Sequence, residues 1–321
     1  MNICPSVLIV AEIGKNVGWG HVARAHLLRE ILSPNMTVTL KVINREPWDD
    51  SLLEDEYALR NIVDADIVFL DGLSLDKEVE RYVRSPRKIS LSYISDVNKY
   101  VDYVVAPSLN GMTAPDHFIT DLSAMLCNRP STELLKSISQ HTTASDKKLI
   151  GVCMGGGDAD GVAPSIVASL ASRGFETVTY PAQRNHLLSL NDFLYRKLKC
   201  QESQVFPYSE LKMCRAVICQ GGLSAVEFAL MGLPTVIRRR TDFSEAYRFL
   251  FSKGCALPSI ENTIPSMINA IEQITDNYQL HQRMSLAGKS LNASLDKSFW
   301  LSLTNRIMGN NYENMPLLSE Y

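Results

Sequence analysis

The chain has 321 residues, 45% of them hydrophobic, enough for two domains with well-buried cores. A formal net charge of −3, with acidic and basic residues mixed throughout, leaves no electrostatic footprint for DNA or RNA. Seven cysteines without a CxxC pair or a zinc-type Cys/His spacing read as reduced packing residues and not as metal ligands, and no apolar run reaches the roughly 18 residues of a membrane span. A cytoplasmic protein with no stable membrane insertion is expected.

Ser6–Ala11 is an apolar run that predicts a strand; a glycine loop follows from Glu12 to Gly20, then a helix from His21 to Ile31 with Val22, Ala25, Leu28 and Ile31 at helical spacing. Val38, Leu40 and Val42 alternate as the next strand, and Tyr57–Val63 reads as a helix. Asp66–Leu70 predicts a strand running into Asp71-Gly72, Leu75–Val83 a helix, Ile89–Ile94 a strand running into Ser95-Asp96, and Tyr103–Ala106 a further strand. Strands alternating with helices imply a parallel sheet covered on both faces, with ligands beyond the carboxyl ends of its strands.

The pattern weakens from Asn110, and Ser139–Asp146 reads as a linker. The theme then restarts with strand Leu149–Met154, the loop Gly155-Gly156-Gly157-Asp158, helix Val162–Ala171, strand Glu176–Tyr180 and helix Leu187–Leu198. A strand at Ala216–Cys219 leads through Gly221-Gly222 into a helix opening at Leu223 or Ser224, which Gly232-Leu233-Pro234 stops before strand Thr235–Ile237. Beyond it lie helix Glu245–Ser252, strand Cys255–Leu257 and helices at Ile264–Ile274 and Tyr278–Leu291. The expected domains are 1–144 and 147–295, facing each other across a cleft, with a helix within 296–309 crossing back to the first and a loose tail at 310–321.

Glycines where a strand gives way to a helix let a ligand approach the backbone, and the helix's first N–H groups then face it. Gly221, Gly222, Leu223 and Ser224 therefore suit a phosphate, and Glu227, one turn further, suits the vicinal hydroxyls of a ribose. The same residues also fit a turn whose glycines merely permit tight packing. Gly155, Gly156 and Gly157 offer a similar backbone. Gly18-Trp19-Gly20-His21 places a histidine where a helix opens, at the end of the dipole that disfavours a charged ring, which makes His21 the candidate base. Asp71 and Asp96, each expected at a strand's carboxyl end, could orient His21 or bind sugar hydroxyls; Asp96 could equally cap a turn. There is neither a Walker lysine motif nor a Gly-x-Gly-x-x-Gly fingerprint, because Ala23 stands where the third glycine would fall.

Gly18-Trp-Gly-His-Val-Ala-Arg24, Cys153-Met-Gly-Gly-Gly-Asp158 and Gly221-Gly-Leu-Ser-Ala-Val-Glu227 with Gly232-Leu-Pro234 together resemble the nucleotide-sugar hydrolases of the pseudaminic acid pathway and their spore-coat polysaccharide relatives. That resemblance, from about residue 7 to residue 257, implies an α/β chain of the GT-B glycosyltransferase fold. It implies a UDP-sugar as substrate, with no other cofactor and no metal. By the same resemblance His21 activates the attacking water or hydroxyl, Gly222, Leu223 and Ser224 hold the diphosphate, Glu227 binds the uridine ribose, and Gly155–Gly157 open the second domain. The hydrolases tend to carry His-Tyr-Gly after the aspartate matching Asp71, where this chain has Gly72-Leu73. They carry an Asn-Gln pair near the sugar where this chain has Asp242-Phe243, which makes Asp242 a candidate sugar contact. The expected activity is inverting cleavage of an anomeric C–O bond, with hydrolysis favoured over transfer to an acceptor; a nucleotide-sugar-binding protein without turnover is the other class.

Overall fold

The computed structural model describes residues 5–13, 20–44, 59–127, 149–154, 161–179, 200–202, 213–238, 247–296 and 298–309. The chain divides into two compact units, 1–126 with 295–321 and 127–294. The expected linker at 139–146, the helix at 187–198 and the tail at 310–321 lie outside the described residues.

The first unit holds strands β1 (Ser6–Ile13), β2 (Thr37–Asn44), β3 (Val63–Asp64), β4 (Ile67–Asp71), β5 (Val83–Arg84), β6 (Lys88–Ser90), β7 (Tyr103–Val105) and β8 (Phe118–Ile119), with helices α1 (Gly20–Leu32) and α2 (Asp76–Tyr82). Its main sheet is parallel in the order β2-β1-β4-β6-β7-β8, and β3 pairs separately with β5. The uninterrupted apolar run of β1 follows from its central place between β2 and β4, which buries both of its faces. Val7, Ile9, Ala11 and Ile13 pack with Val22, Ala25, Leu28 and Leu32 of α1, while Leu8 and Val10 pack on the other face with Leu70, Leu75 and Val79.

The second unit repeats the architecture with β9 (Leu149–Cys153), β10 (Glu176–Thr179), β11 (Cys200–Glu202), β12 (Ala216–Cys219), β13 (Thr235–Ile237) and β14 (Ala256–Pro258). Its helices are α3 (Ala163–Ser172), α4 (Leu223–Leu230), α5 (Arg248–Ser252), α6 (Ile264–Asp276) and α7 (Tyr278–Ser294). The parallel order β11-β10-β9-β12-β13-β14 is the doubly wound arrangement of a Rossmann sheet. The last helix, α8 (Phe299–Gly309), belongs to the first unit, where Trp300, Leu303 and Ile307 join the core around α1. Trp300 meets Phe69 edge-on with ring centroids 5.8 Å apart. Trp300→Ala is expected to lower stability by about 3–5 kcal/mol, read as a drop in the denaturant midpoint of the first unit.

Several expectations change. Residues 59–62, read as the end of a helix, are irregular, and Val63–Asp64 forms a strand because it finds a parallel partner in Val83–Arg84. The strand expected to reach Ile94 stops at Ser90, whose hydroxyl donates to the Ser92 carbonyl and accepts from the Ser92 N–H, turning the chain out of the sheet. Asp96 accordingly opens a short 3-10 turn through Tyr100 and does not end a strand. Strands β8 and β11 were not legible, being two and three residues long. Arg238, the residue after β13, is buried and donates to Asn262 Oδ1 at 2.6 Å.

A buried histidine ties α7 to the sheet: His281 Nε2 donates to the Arg215 carbonyl at 2.9 Å, and Arg215 Nη2 donates to the Thr275 carbonyl at 2.8 Å. Burial lowers the His281 pKa below its ordinary 6.5, so the unfolded chain takes up this proton at a higher pH than the folded one. The stabilisation it provides is complete above 6.5 and declines as pH falls below that value. Thermal unfolding from pH 7 to 5 should show a falling Tm, and His281→Gln, which retains a donor for the carbonyl, should flatten the fall.

Candidate functional site

In each sheet the strand order reverses at one point, and in open α/β sheets the carboxyl ends of the strands at such a point are where ligands bind. In the first unit that point lies between β1 and β4, with Ala11 beside Asp71 in the register. Asp71 is the last residue of β4 and is fully buried. Its Oδ1 lies 2.5 Å from His21 Nδ1 and 2.5 Å from Arg24 Nη2, and its Oδ2 accepts from Arg24 Nε at 2.8 Å. His21 and Arg24 stand one turn apart on α1, so one helix face presents both to the same carboxylate.

The electrostatics of the trio follow from this geometry. Burial pushes the Asp71 pKa up, but the Arg24 guanidinium and His21 outweigh it and hold the carboxyl below its ordinary value, so Asp71 is ionised. An ionised carboxylate offers only acceptors, and the proton on His21 Nδ1 is therefore assigned toward Asp71, with Arg24 Nη2, 2.8 Å from the same nitrogen, donating to Asp71 Oδ1 and not to the ring. A neutral ring then carries its lone pair on Nε2. His21 is also the partly exposed member of the pair, with 12% of its side chain accessible against none of Asp71. The arrangement can accept a proton at Nε2 while Asp71 supports the imidazolium that results. Arg24 was not singled out in the sequence; its three-residue spacing from His21 was the available signal.

Asp96 has a different place. Its Oδ1 accepts from the Leu75 N–H at 2.9 Å and its backbone N–H donates to the Leu73 carbonyl at 3.0 Å, so it holds the loop that follows Asp71 and does not bond to His21. Partial burial and the neighbouring Asp76 raise its pKa.

In the second unit the reversal lies between β9 and β12, where Cys153 is the register partner of Cys219. Gly155, Gly156 and Gly157 follow β9 and lie outside the described residues, as do Gly18 and Asp242. After β12, Gly221 and Gly222 have φ of 107° and 80°, a region that favours glycine. Gly222 is the N-cap of α4, which starts at Leu223, so Leu223 and Ser224 supply the N–H groups of its first turn. Gly222 is exposed, Leu223 and Ser224 are half-buried, and Glu227, one turn in, is buried. A residue missed in the sequence completes this end: the Tyr247 hydroxyl accepts from the Gly222 N–H, and its ring packs so close to Gly221 that a Cβ there would fall 2.8 Å from a ring carbon. Gly20, by contrast, opens α1 with free space beside it.

Among the described residues no group of three or more His, Cys, Asp and Glu side chains is placed to hold a metal ion, and no helix is long and apolar enough to cross a membrane. Cys127, Cys153, Cys214, Cys219 and Cys255 are buried, and burial pushes the Cys255 thiol up to about 11.

Two doubly wound parallel sheets in one chain define the class: a GT-B fold of two Rossmann-like domains. Solved structures share it over nearly the whole chain. The S. aureus MnaA–UDP co-structure matches with a TM-score of 0.61 and 12% identity, covering 94% of this chain and 96% of that one. MurG from Acinetobacter baumannii matches with a TM-score of 0.60 and 13% identity, covering 95% and 100%. UDP-GlcNAc 2-epimerase from Neisseria meningitidis bound to UDP-GlcNAc matches with a TM-score of 0.53 and 12% identity, covering 95% and 100%. No protein-family model matches the chain, and no curated protein matches it in sequence.

Proposed function

We propose that this protein is an enzyme acting on a nucleotide-activated sugar, with a UDP-sugar as substrate, and that it cleaves the anomeric C–O bond with inversion. The observation that carries this reading is the content of the two strand-order reversals: a His–Asp dyad in one unit, and a glycine-bounded helix N-terminus in the other. The similar structures named with UDP, UDP-GlcNAc and thymidine diphosphate support a nucleoside diphosphate as the leaving group.

In this mechanism His21 Nε2 removes a proton from the nucleophile as it attacks the anomeric carbon opposite the departing diphosphate. The bond from that carbon to the diphosphate oxygen breaks, and the electron pair leaves with the nucleoside diphosphate. Negative charge gathers on the leaving group, and the N–H groups of Leu223 and Ser224, with the positive end of α4, stabilise it without reorganising. Glu227 accepts hydrogen bonds from the ribose hydroxyls. In this reading Gly18, Gly20, Gly155, Gly156, Gly157 and Asp242 are the remaining substrate-binding residues.

With water as nucleophile the reaction is hydrolysis, the preferred reading, in keeping with the resemblance to cytoplasmic hydrolases of cell-surface polysaccharide synthesis. Transfer to a hydroxyl acceptor is the second reading, favoured by the likeness to MurG and to the spinosyn rhamnosyltransferase SpnG. The test is UDP release from a panel of UDP-linked amino and deoxy sugars, with and without saccharide acceptors, followed by NMR of the sugar product. Release without acceptor, giving a free inverted sugar, supports hydrolysis. Release only with acceptor supports transfer. UDP binding without release from any donor would replace the enzyme by a binding protein.

A further inference from the structure

Three consecutive backbone N–H groups after Asp71 end on carboxylates. Leu73 and Ser74 donate to Glu12 Oε2 at 2.6 and 3.1 Å, and Leu75 donates to Asp96 Oδ1 at 2.9 Å. The Asp96 N–H closes the arrangement by donating to the Leu73 carbonyl. Glu12 lies near the carboxyl end of β1, one residue beyond Ala11, the register partner of Asp71, and is 1% exposed. Gly72 leaves room for it: a Cβ at that position would fall 2.6 Å from Glu12 Cβ and 2.8 Å from Oε2. A carboxylate is costly to bury, and two backbone donors on one oxygen are the compensation seen here.

We propose that Glu12, together with Asp96, is a positioning residue for the dyad: the two carboxylates fix the 72–75 loop and so aim Asp71 at His21 Nδ1. The inference rests on the reading of His21 as the base. Glu12 touches neither reacting atom nor His21 in this role. It acts because Asp71 is the last residue of β4, where the ladder ends and the path of the next three residues decides how the carboxylate is held. Arg24 secures Asp71 from the helix side, and Glu12 and Asp96 secure its chain from the sheet side. A loop released from this grip lets Asp71 drift from Nδ1, and the neutral ring then loses its preference for carrying the proton there.

The test is the tautomer of His21, read from the imidazole nitrogens in long-range 1H–15N spectra of the full-length protein near neutral pH. The wild type should show the Nδ1–H tautomer. Glu12→Ala should move the ring toward a mixture with Nε2–H, and kcat for UDP release should fall on the order of 100-fold, the scale of a small misplacement, with KM little changed. Glu12→Gln, whose amide oxygen still accepts, should restore the tautomer and most of the rate. An unchanged tautomer in folded Glu12→Ala overturns the proposal. If Glu12→Ala does not fold, Asp96→Ala decides by the same readout, an unchanged tautomer again overturning it. Tautomer shifts as expected in a protein that turns over no sugar nucleotide would keep the positioning role and discard the enzymatic reading; turnover without the shifts would do the reverse.

Discussion

His21→Ala should lower the rate of sugar-nucleotide cleavage by about 10²–10⁴-fold, the range supplied by a positioned general base, while leaving the affinity for UDP nearly unchanged. The separation follows from placement. His21 belongs to the dyad of the first unit, whereas Gly221, Gly222, Leu223 and Ser224, the proposed diphosphate seat, lie in the second. Asp71→Asn should lose activity on a similar order for a different reason. An amide at that position can turn its NH2 toward His21, place the proton on Nε2 and block the atom that must accept one. It also leaves Arg24 facing a neutral partner in place of a bidentate carboxylate. Kinetics and UDP titrations on the same preparations check both variants. A loss of UDP affinity equal to the loss of rate in His21→Ala would remove the assigned role.

Gly221→Ala should weaken UDP binding by at least about tenfold, because two effects act together. The backbone there has φ of 107°, a conformation that costs a side-chain-bearing residue roughly 1–3 kcal/mol. The new Cβ would also fall 2.8 Å from the Tyr247 ring, so either the ring or the turn must move. Movement of the turn breaks the Gly222 N–H bond to the Tyr247 hydroxyl and displaces the Leu223 and Ser224 N–H groups from the geometry that suits a phosphate. Gly222→Ala meets no neighbour but carries the same backbone penalty at φ of 80°, so its effect should be smaller. Calorimetric titration with UDP, paired with thermal unfolding, separates binding from folding: equal affinity in folded Gly221→Ala and wild type would show that this turn does not seat the nucleotide.

Much of the architecture was legible because buried parallel strands write themselves as short apolar runs. Val7–Ala11, Ile67–Leu70, Ile150–Cys153 and Ala216–Cys219 needed no partner to be recognised. The start of α4 was legible to within one residue, Leu223 or Ser224, because Gly221-Gly222 marks a turn with the positive φ that glycine favours; the helix begins at Leu223. The strand beginning at Ile89 was overextended because Leu91 continues an apolar alternation, while the event that ends it, Ser90 bonding to the Ser92 backbone, leaves no periodic trace. Val63–Asp64 is a strand only because Val83–Arg84 is there to pair with it.

The site divides in the same way. His21 and Asp71 stood out through local context, a histidine after glycines and an aspartate closing an apolar run. Arg24 had a local signal in its helical spacing. Glu12 and Tyr247 had none: Glu12 acts on residues about sixty positions away and Tyr247 on a turn twenty-five positions away. Such contacts are set by strand order and loop path, which no single stretch of sequence displays.

The most direct measurement is an amide 1H–15N titration of the wild-type protein with UDP. The expected result is saturable shifts concentrated at Gly221, Gly222, Leu223, Ser224 and Glu227, at the strand-order reversal of the second unit. Saturable shifts centred elsewhere, or none at millimolar UDP, would contradict a nucleotide-sugar enzyme built on that turn.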